Sequence, residues 1–310
     1  MSDAGLKLTL RALRQHLDGF TGDYLKDKSK ETIGTYRRSL RTFEKWFVQQ
    51  HGRFRFTEDD VRDYKRYLME ERELSQVSVS TYLTALRRFC QYLTDIGKLE
   101  DNPATGVKGN RRPDTHSRKV LTESDIAALK GVLSTESLIE KRDTAIVHLM
   151  LYAGLSEIEI VRADVEDLEQ TLMGWFLRVQ GKGRTVKDEQ VPIDDVALDP
   201  MQTYLEARSS LQPSHPLFVS HGRRSDGQRL NTRSIRSRIN GYLKEAGIKR
   251  RGVTPHSLTH TAALLWLNDG MPLEQVKARM RHGTLETTMI YYKKQGLLKR
   301  DPEASDAEAE

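Results

Sequence analysis

Between Asp101 and Lys119 the chain loses its apolar periodicity, and this break limits the fold more than any other feature. The stretch "DNPATGVKGNRRPDTHSRKVLT" holds Pro103, Gly106, Gly109 and Pro113, residues that interrupt regular structure. It also holds Lys108, Arg111, Arg112, Arg118 and Lys119, so it reads as a basic linker. A chain of 310 residues interrupted in this way is expected to form two domains. The expected boundaries are a helical domain over 1–100, a linker over 101–119, a second domain over 120–295 and an acidic tail over 296–310.

The first hundred residues read as helices. In "ETIGTYRRSLRTFEKWFVQQ", Ile33, Tyr36, Leu40, Phe43 and Phe47 share one stripe, with Arg37, Arg38, Arg41 and Lys45 opposite. Thr57 is an N-cap candidate before "EDDVRDYKRYLMEERE", whose first turn is acidic. A further helix places Val79, Tyr82, Leu83, Leu86, Phe89 and Leu93 inside, carries Arg87 and Arg88 outside, and stops at Gly97. Apolar stripes of this kind are core. The basic faces are solvated faces or contacts to a polyanion.

The second half is mainly helical with one change of period. "TESDIAALKGVL" begins at Thr122, with Asp125 three residues on, and "EKRDTAIVHLMLYAG" is a very apolar helix ending at Gly154. "EIEIVRADVEDL" reads as a helix and turn, in which Asp164 and Asp167 are structural. "GWFLRVQGKGRTVKDEQVPI" then alternates with period two around Gly-Lys-Gly, as a β-hairpin does. "TRSIRSRINGYLKEAG", containing Arg236, is a basic helix, and helices follow in "TPHSLTHTAALLWLNDG", "PLEQVKARMRHG" and "LETTMIYYKK".

The formal net charge is +6, and without the five acidic residues of "DPEASDAEAE" the remaining body stands at +11. That balance favours a polyanion such as nucleic acid. The acidic tail is expected to be disordered. No run of eighteen apolar residues is present, so no membrane partner is expected. The N-terminus lacks a basic segment followed by an apolar core, so no secretory signal is expected. The single cysteine, Cys90, sits at helical spacing as a small buried apolar residue and fits a reducing, cytoplasmic setting. Zinc-ligand spacing is absent, and "GKGRT" is not a phosphate-binding P-loop, so neither metal nor cofactor is expected.

The remaining chemistry lies late in the chain. "HSLTHTAALLWLNDG" starts at His256 and includes His260, while "RHGTLETTMIYYKK" includes His282, Thr287, Thr288, Tyr291 and Tyr292. Histidines with a late tyrosine suit phosphoryl transfer. With these residues the sequence resembles the tyrosine recombinase, or phage integrase, family, along nearly its whole length and most strongly from Pro255 to Tyr292.

The resemblance implies a helical, SAM-like core-binding domain followed by a mixed α/β, mainly helical catalytic domain with a small β-hairpin sheet. It implies that the nucleophile is Tyr291, nine residues after His282 in a context the family writes "GH…TT…Y". It assigns Lys182 as the hairpin lysine and His256 as the first histidine of H-x-L-R-H, and it leaves His260 a structural histidine. Two arginine positions are degenerate. The "GLR" arginine is Ser156, and the arginine of H-x-L-R-H is Thr259. By the same resemblance the partner is double-stranded DNA, held in a C-shaped clamp by a homo-tetramer or by a mixed assembly with an active recombinase. Candidate DNA contacts are Arg37, Arg38, Arg87, Arg88, Arg111, Arg112 and Arg236. The segment after Gln295, anchored by Leu297 and Leu298, is expected to dock on a neighbouring subunit.

Tyrosine attack on a phosphodiester gathers charge on the non-bridging oxygens. Two guanidiniums and histidine donors stabilise that charge, and a lysine protonates the leaving 5′ oxygen. Losing one such donor costs about 10²–10³ in rate. Hydroxyls supply no positive charge. Arg162 lies about 600° round a helix from Ser156 and faces elsewhere. Arg279 and Arg281 are close to His282 in sequence and are the candidates for a replacement. Three functions are compatible with these residues: a recombinase with impaired cleavage, a non-catalytic DNA-binding or assembly partner, and a helical interaction protein whose basic surface is incidental.

Overall fold

Thr57 begins the third helix because its side chain replaces a missing backbone partner. The Thr57 hydroxyl accepts from the Asp60 amide at 3.2 Å, and Asp60 Oδ2 accepts from the Thr57 amide at 3.0 Å. A cap of this kind is worth about 1 kcal/mol. It fixes the phase in which Val61, Tyr64, Tyr67 and Leu68 turn inward. The structure, a computed structural model, describes residues 5–28, 30–109, 119–181, 186–223 and 225–292. Lys182, Arg111, Arg112 and the segment with Leu297 and Leu298 lie outside the described residues. The chain divides into two compact units, Met1–Asp114 and Thr115–Glu310.

The first unit is built from α1 (Leu10–Gly19), a π-turn over Phe20–Tyr24, α2 (Lys30–Gln49), α3 (Glu58–Glu70) and α4 (Gln76–Asp95). Its core is aromatic. The Phe43 ring lies 5.4 Å from Phe54 and 5.2 Å from Tyr64, edge to face in both cases. Leu40 and Phe47 are buried as the stripe requires, Trp46 joins them, and Ile33 and Tyr36 are half-buried against the same core. Cys90 is fully buried, and burial pushes its thiol pKa upward, as expected of a packing cysteine.

Residues 101–109 of the expected linker belong to this unit, whereas Lys119 belongs to the second. Ala104 and Val107 are buried in its core. Arg87 Nε donates to the Ala104 carbonyl at 3.0 Å, and Arg87 Nη2 donates to that of Val107 at 2.8 Å. Lys65 Nζ reaches the Lys108 carbonyl at 3.1 Å. Gly and Pro ended the periodicity here, but side chains of α3 and α4 satisfy the irregular backbone.

The second unit runs α5 (Glu123–Gly131), α6 (Leu138–Tyr152), α7 (Glu157–Arg162), β1 (Leu168–Thr171), β2 (Gly174–Val179), β3 (Glu189–Ile193), α8 (Asp195–Glu206), α9 (Thr232–Glu245), α10 (His256–Asn268), α11 (Leu273–Arg279) and α12 (Leu285–Tyr292). β2 and β3 form the expected hairpin pair, with Leu177 opposite Val191. The stretch after the expected turn, to which the sequence reading gave no element, supplies a further strand: β1 pairs antiparallel with β2, so the sheet order is β1-β2-β3. Asp164 and Asp167 are structural, as expected. Lys187 Nζ bonds both carboxylates, and Arg229 also pairs with Asp164. Burial opposes the charge on Lys187, but the two carboxylates outweigh it and raise the ammonium pKa.

α6 runs through the core and is buried around most of its surface. Its buried Arg142 and Asp143 form one polar network. Arg142 Nη2 meets Asp143 Oδ1 at 2.6 Å, Arg238 Nε of α9 meets Asp143 Oδ2 at 2.6 Å, and the Tyr242 hydroxyl donates to the same oxygen at 3.2 Å. Removing either ion would strand a buried charge, a loss of about 3–5 kcal/mol. The network fixes α9 against α6, and α6 leads directly to the turn at the candidate site.

Candidate active site

The turn after α6 passes through Gly154, whose φ of +64 a side chain rarely adopts, and a Cβ there would stand 2.7 Å from the Trp266 ring. This turn presents Ser156 at the start of α7. Packed beside it is α10, which carries His256, Thr259 and His260. α12 brings Tyr291, and the loop before it brings His282. These sequence-distant residues therefore converge on one place in the second unit.

Both degenerate positions turn inward. The Ser156 hydroxyl donates to Glu159 Oε2 at 2.7 Å, and its amide donates to the same oxygen at 2.8 Å. Thr259 is buried, and its hydroxyl donates to the Leu155 carbonyl at 2.9 Å. Each hydroxyl thus serves the turn between α6 and α7.

The histidines and the tyrosine form a ring ladder. His256 stands edge-on to His260 with centroids 4.7 Å apart, and its Nδ1 is 3.8 Å from Glu157 Oε2. The Tyr291 hydroxyl is hydrogen-bonded to His260 Nδ1. On its other side the Tyr291 ring stacks on His282 at 5.9 Å with 4° between the planes. His282 Nδ1 is bonded to the Thr288 hydroxyl at 2.9 Å, which ties the loop to α12. Tyr291 is only 2% exposed and belongs to the core with Val120, Ala262 and Trp266, whereas its neighbour Tyr292 is 54% exposed.

Four charged side chains complete the place, and the sequence had pointed to Arg281 only as a candidate replacement and to Arg236 only as a candidate DNA contact. Glu157 and Glu159 are both buried. Arg236 Nε meets Glu157 Oε1 at 3.1 Å, so this candidate DNA contact also spans from α9 to α7. Arg281 Nε meets Glu159 Oε1 at 2.6 Å, its Nη2 meets Glu159 Oε2 at 3.0 Å, and the same Nη2 donates to the Gly154 carbonyl at 2.9 Å. Arg279 turns elsewhere, to Asp194 at 3.3 Å and onto the Trp266 face at 5.0 Å. Arg281 was detectable as a departure from the glycine in the resemblance's "GH".

The remaining candidates lie in the first unit. Arg37, Arg38 and Arg88 are exposed, with Arg38 Nη2 on the Thr35 hydroxyl at 3.0 Å. Arg87 instead faces the carbonyls described above. Among the described residues, no group of three or more His, Cys, Asp or Glu could hold a metal ion, and no helix is long and apolar enough to cross a membrane.

Residues 119–296 match the profile of the Phage integrase family, and residues 15–97 match the phage integrase N-terminal SAM-like domain. The chain belongs to the phage integrase, or tyrosine recombinase, family. It is 31% identical over 268 residues to the tyrosine recombinase XerD of Vibrio cholerae, covering 85% of each chain. Against the tyrosine recombinase XerC of Chlamydia trachomatis serovar L2 it is 31% identical over 241 residues, 76% of this chain and 72% of that one. Solved recombinases share the fold at lower identity. The Tn1549 transposon integrase, solved with transposon right end DNA, superposes with a TM-score of 0.69 at 15% identity, covering 97% of this chain and 98% of that one. The XerH site-specific recombinase bound to its difH substrate, post-cleavage, gives 0.67 at 15% identity over 97% and 84%. Within this tyrosine recombinase fold, the ladder from His256 to His282 is present, and the Ser156 and Thr259 hydroxyls beside it are engaged by Glu159 and Leu155.

Proposed function

We propose that this protein is a DNA-binding tyrosine recombinase whose strand cleavage is severely impaired. Its ligand would be double-stranded DNA, bound without metal or cofactor. If cleavage occurs, Tyr291 would form a 3′-phosphotyrosine link, His256 and His282 would donate to the phosphate oxygens, and Lys182 would protonate the leaving oxygen. What carries the reading is the engagement of Ser156 and Thr259 with Glu159 and Leu155, hydroxyls that bring no positive charge to a phosphate. Arg281, the guanidinium beside them, is neutralised by Glu159. Two missing donors at about 10²–10³ each, even if not additive, leave a slow enzyme at best.

DNA binding needs none of those groups. It would rest on the net charge of +6 and on exposed arginines such as Arg37, Arg38 and Arg88. Relatives solved with DNA, including a lambda integrase dimer bound to a core site, support the ligand class. The engaged hydroxyls of Ser156 and Thr259 also fit a non-cleaving subunit, which would occupy sites as a homo-tetramer or complete a mixed assembly with an active recombinase.

The test is a salt titration of binding to double-stranded DNA, with each sample also run on a denaturing gel. The reading expects affinity that falls steeply with salt and little or no protein–DNA adduct. Salt-insensitive or absent binding would leave the helical interaction protein as the better reading.

A further inference from the structure

Arg281 is costly where it stands. Its φ of 54 is a backbone state that glycine adopts freely and that costs other residues about 1 kcal/mol or more. The family context expects glycine immediately before the histidine, and this chain has arginine. Something must offset the strain, and the offset lies at the α7 turn.

The Arg281 guanidinium forms a two-pronged pair with Glu159, and both side chains are 8% exposed. Its Nη2 also holds the carbonyl of Gly154, two residues before Ser156. Glu159 Oε2 therefore receives three donors: the Ser156 amide, the Ser156 hydroxyl and Arg281. Position 156, which lost a guanidinium, and position 281, which gained one, meet on the same carboxylate oxygen. An arginine at 156 would sit three residues before Glu159, at capping-box spacing, and could reach that carboxylate itself.

We propose that Arg281 is a relocated guanidinium. It performs the positioning part of the missing arginine's work by tying the segment that carries His282 and Tyr291 to the start of α7. It does not replace the phosphate contact, because its charge is spent on Glu159. Arg281 is a positioning residue, and positions 156 and 281 form one coupled unit. Ser156→Arg alone would place two guanidiniums on one carboxylate. The proposal deepens the functional reading and depends on Ser156 standing at the arginine position.

A double-mutant cycle without DNA tests it. The variants are Ser156→Arg, Arg281→Gly, both together, and Arg281→Lys, with Tm and acylation of Tyr291 by N-acetylimidazole as readouts. Arg281→Gly leaves Glu159 buried and unpaired, and Tm should fall by roughly 6–15 °C. Tyr291 labelling should rise in the same variant. Ser156→Arg alone should also lower Tm. The double variant should recover at least half of the Arg281→Gly loss and return Tyr291 to its unlabelled state, with Arg281→Lys between the extremes. If Arg281→Gly does not fold, the double variant and Arg281→Lys still decide the matter. Additive Tm changes, or Tyr291 labelling that Ser156→Arg leaves unrestored, would overturn the coupling. Since no DNA is involved, a protein that proved able to cleave would sink the functional reading without touching this result.

Discussion

The hydroxyl of Tyr291 is hydrogen-bonded to Nδ1 of His260 inside the core of the second unit. The tyrosine therefore has packing work that needs no DNA chemistry. A chain that had lost its phosphate clamp would still keep this residue for stability. Tyr291→Phe should lower stability by about 1 kcal/mol, or roughly 2–4 °C in Tm, and leave duplex affinity unchanged. Thermal unfolding with a parallel binding titration checks both, and an unchanged Tm would mean that the hydroxyl does not hold the core.

Thr259 makes the same point on α10. Its hydroxyl supplies the Leu155 carbonyl at 2.9 Å in a buried setting. Thr259→Val keeps the shape and removes the donor, so it should cost about 1–3 kcal/mol by denaturant unfolding. Thr259→Ser keeps the donor and should lose less. Equal losses in the two variants would point to methyl packing rather than the hydrogen bond.

Arginines on the basic faces of α2 and α4 need not share one role. Arg87→Ala should free the 101–109 segment from the first unit, lower Tm, and speed protease cleavage there. Arg37→Ala and Arg38→Ala should leave Tm unchanged and flatten the salt dependence of DNA binding by roughly one unit of slope per lost phosphate contact. The two readouts should separate cleanly. Loss of salt slope with no change in protease sensitivity for Arg87→Ala would reverse the assignment.

Asp125 begins α5 through Thr122 and pairs with Arg250 at 2.7 Å. Burial alone would raise the Asp125 pKa, but the Arg250 and Thr122 hydrogen bonds outweigh it and hold the carboxyl below its ordinary 3.8. A depressed folded pKa stabilises the fold above the unfolded value and is lost as pH falls through the folded one. Arg250→Ala should therefore cost several degrees of Tm near pH 7, and the gap from the parent should narrow below about pH 4. A gap that stays constant with pH would show that the pair is not the source.

Much of this was legible in the sequence because it is local. Thr57 and Thr122 marked helix starts through a partner three residues away, and both caps form. β1 was not legible: its turn runs through Leu172 and Met173, which are 108% and 89% exposed and carry no Asn-Gly signal. The inward turn of Arg87 contradicts the usual solvated fate of a basic face, and it needs carbonyls 17 and 20 residues away. Arg281 needs a carboxylate 122 residues away, a distance that periodicity cannot span. The roles of the motif histidines and Tyr291 came from the family resemblance; the Ser156 bond to Glu159 is local, three residues on, while the Thr259 bond to the Leu155 carbonyl is tertiary, 104 residues away.

A recombinase fold without two guanidiniums beside Tyr291 should bind DNA and fail to form the tyrosine adduct. The most direct measurement is covalent trapping on a nicked suicide duplex carrying the protein's recombination site. It compares the protein with a variant carrying Ser156→Arg, Thr259→Arg and Arg281→Gly, and with that variant plus Tyr291→Phe. The account expects an adduct only from the re-armed variant and none once Tyr291 is removed. Efficient trapping by the protein as it stands would contradict it, because some other group would then be supplying the charge assigned to the lost arginines.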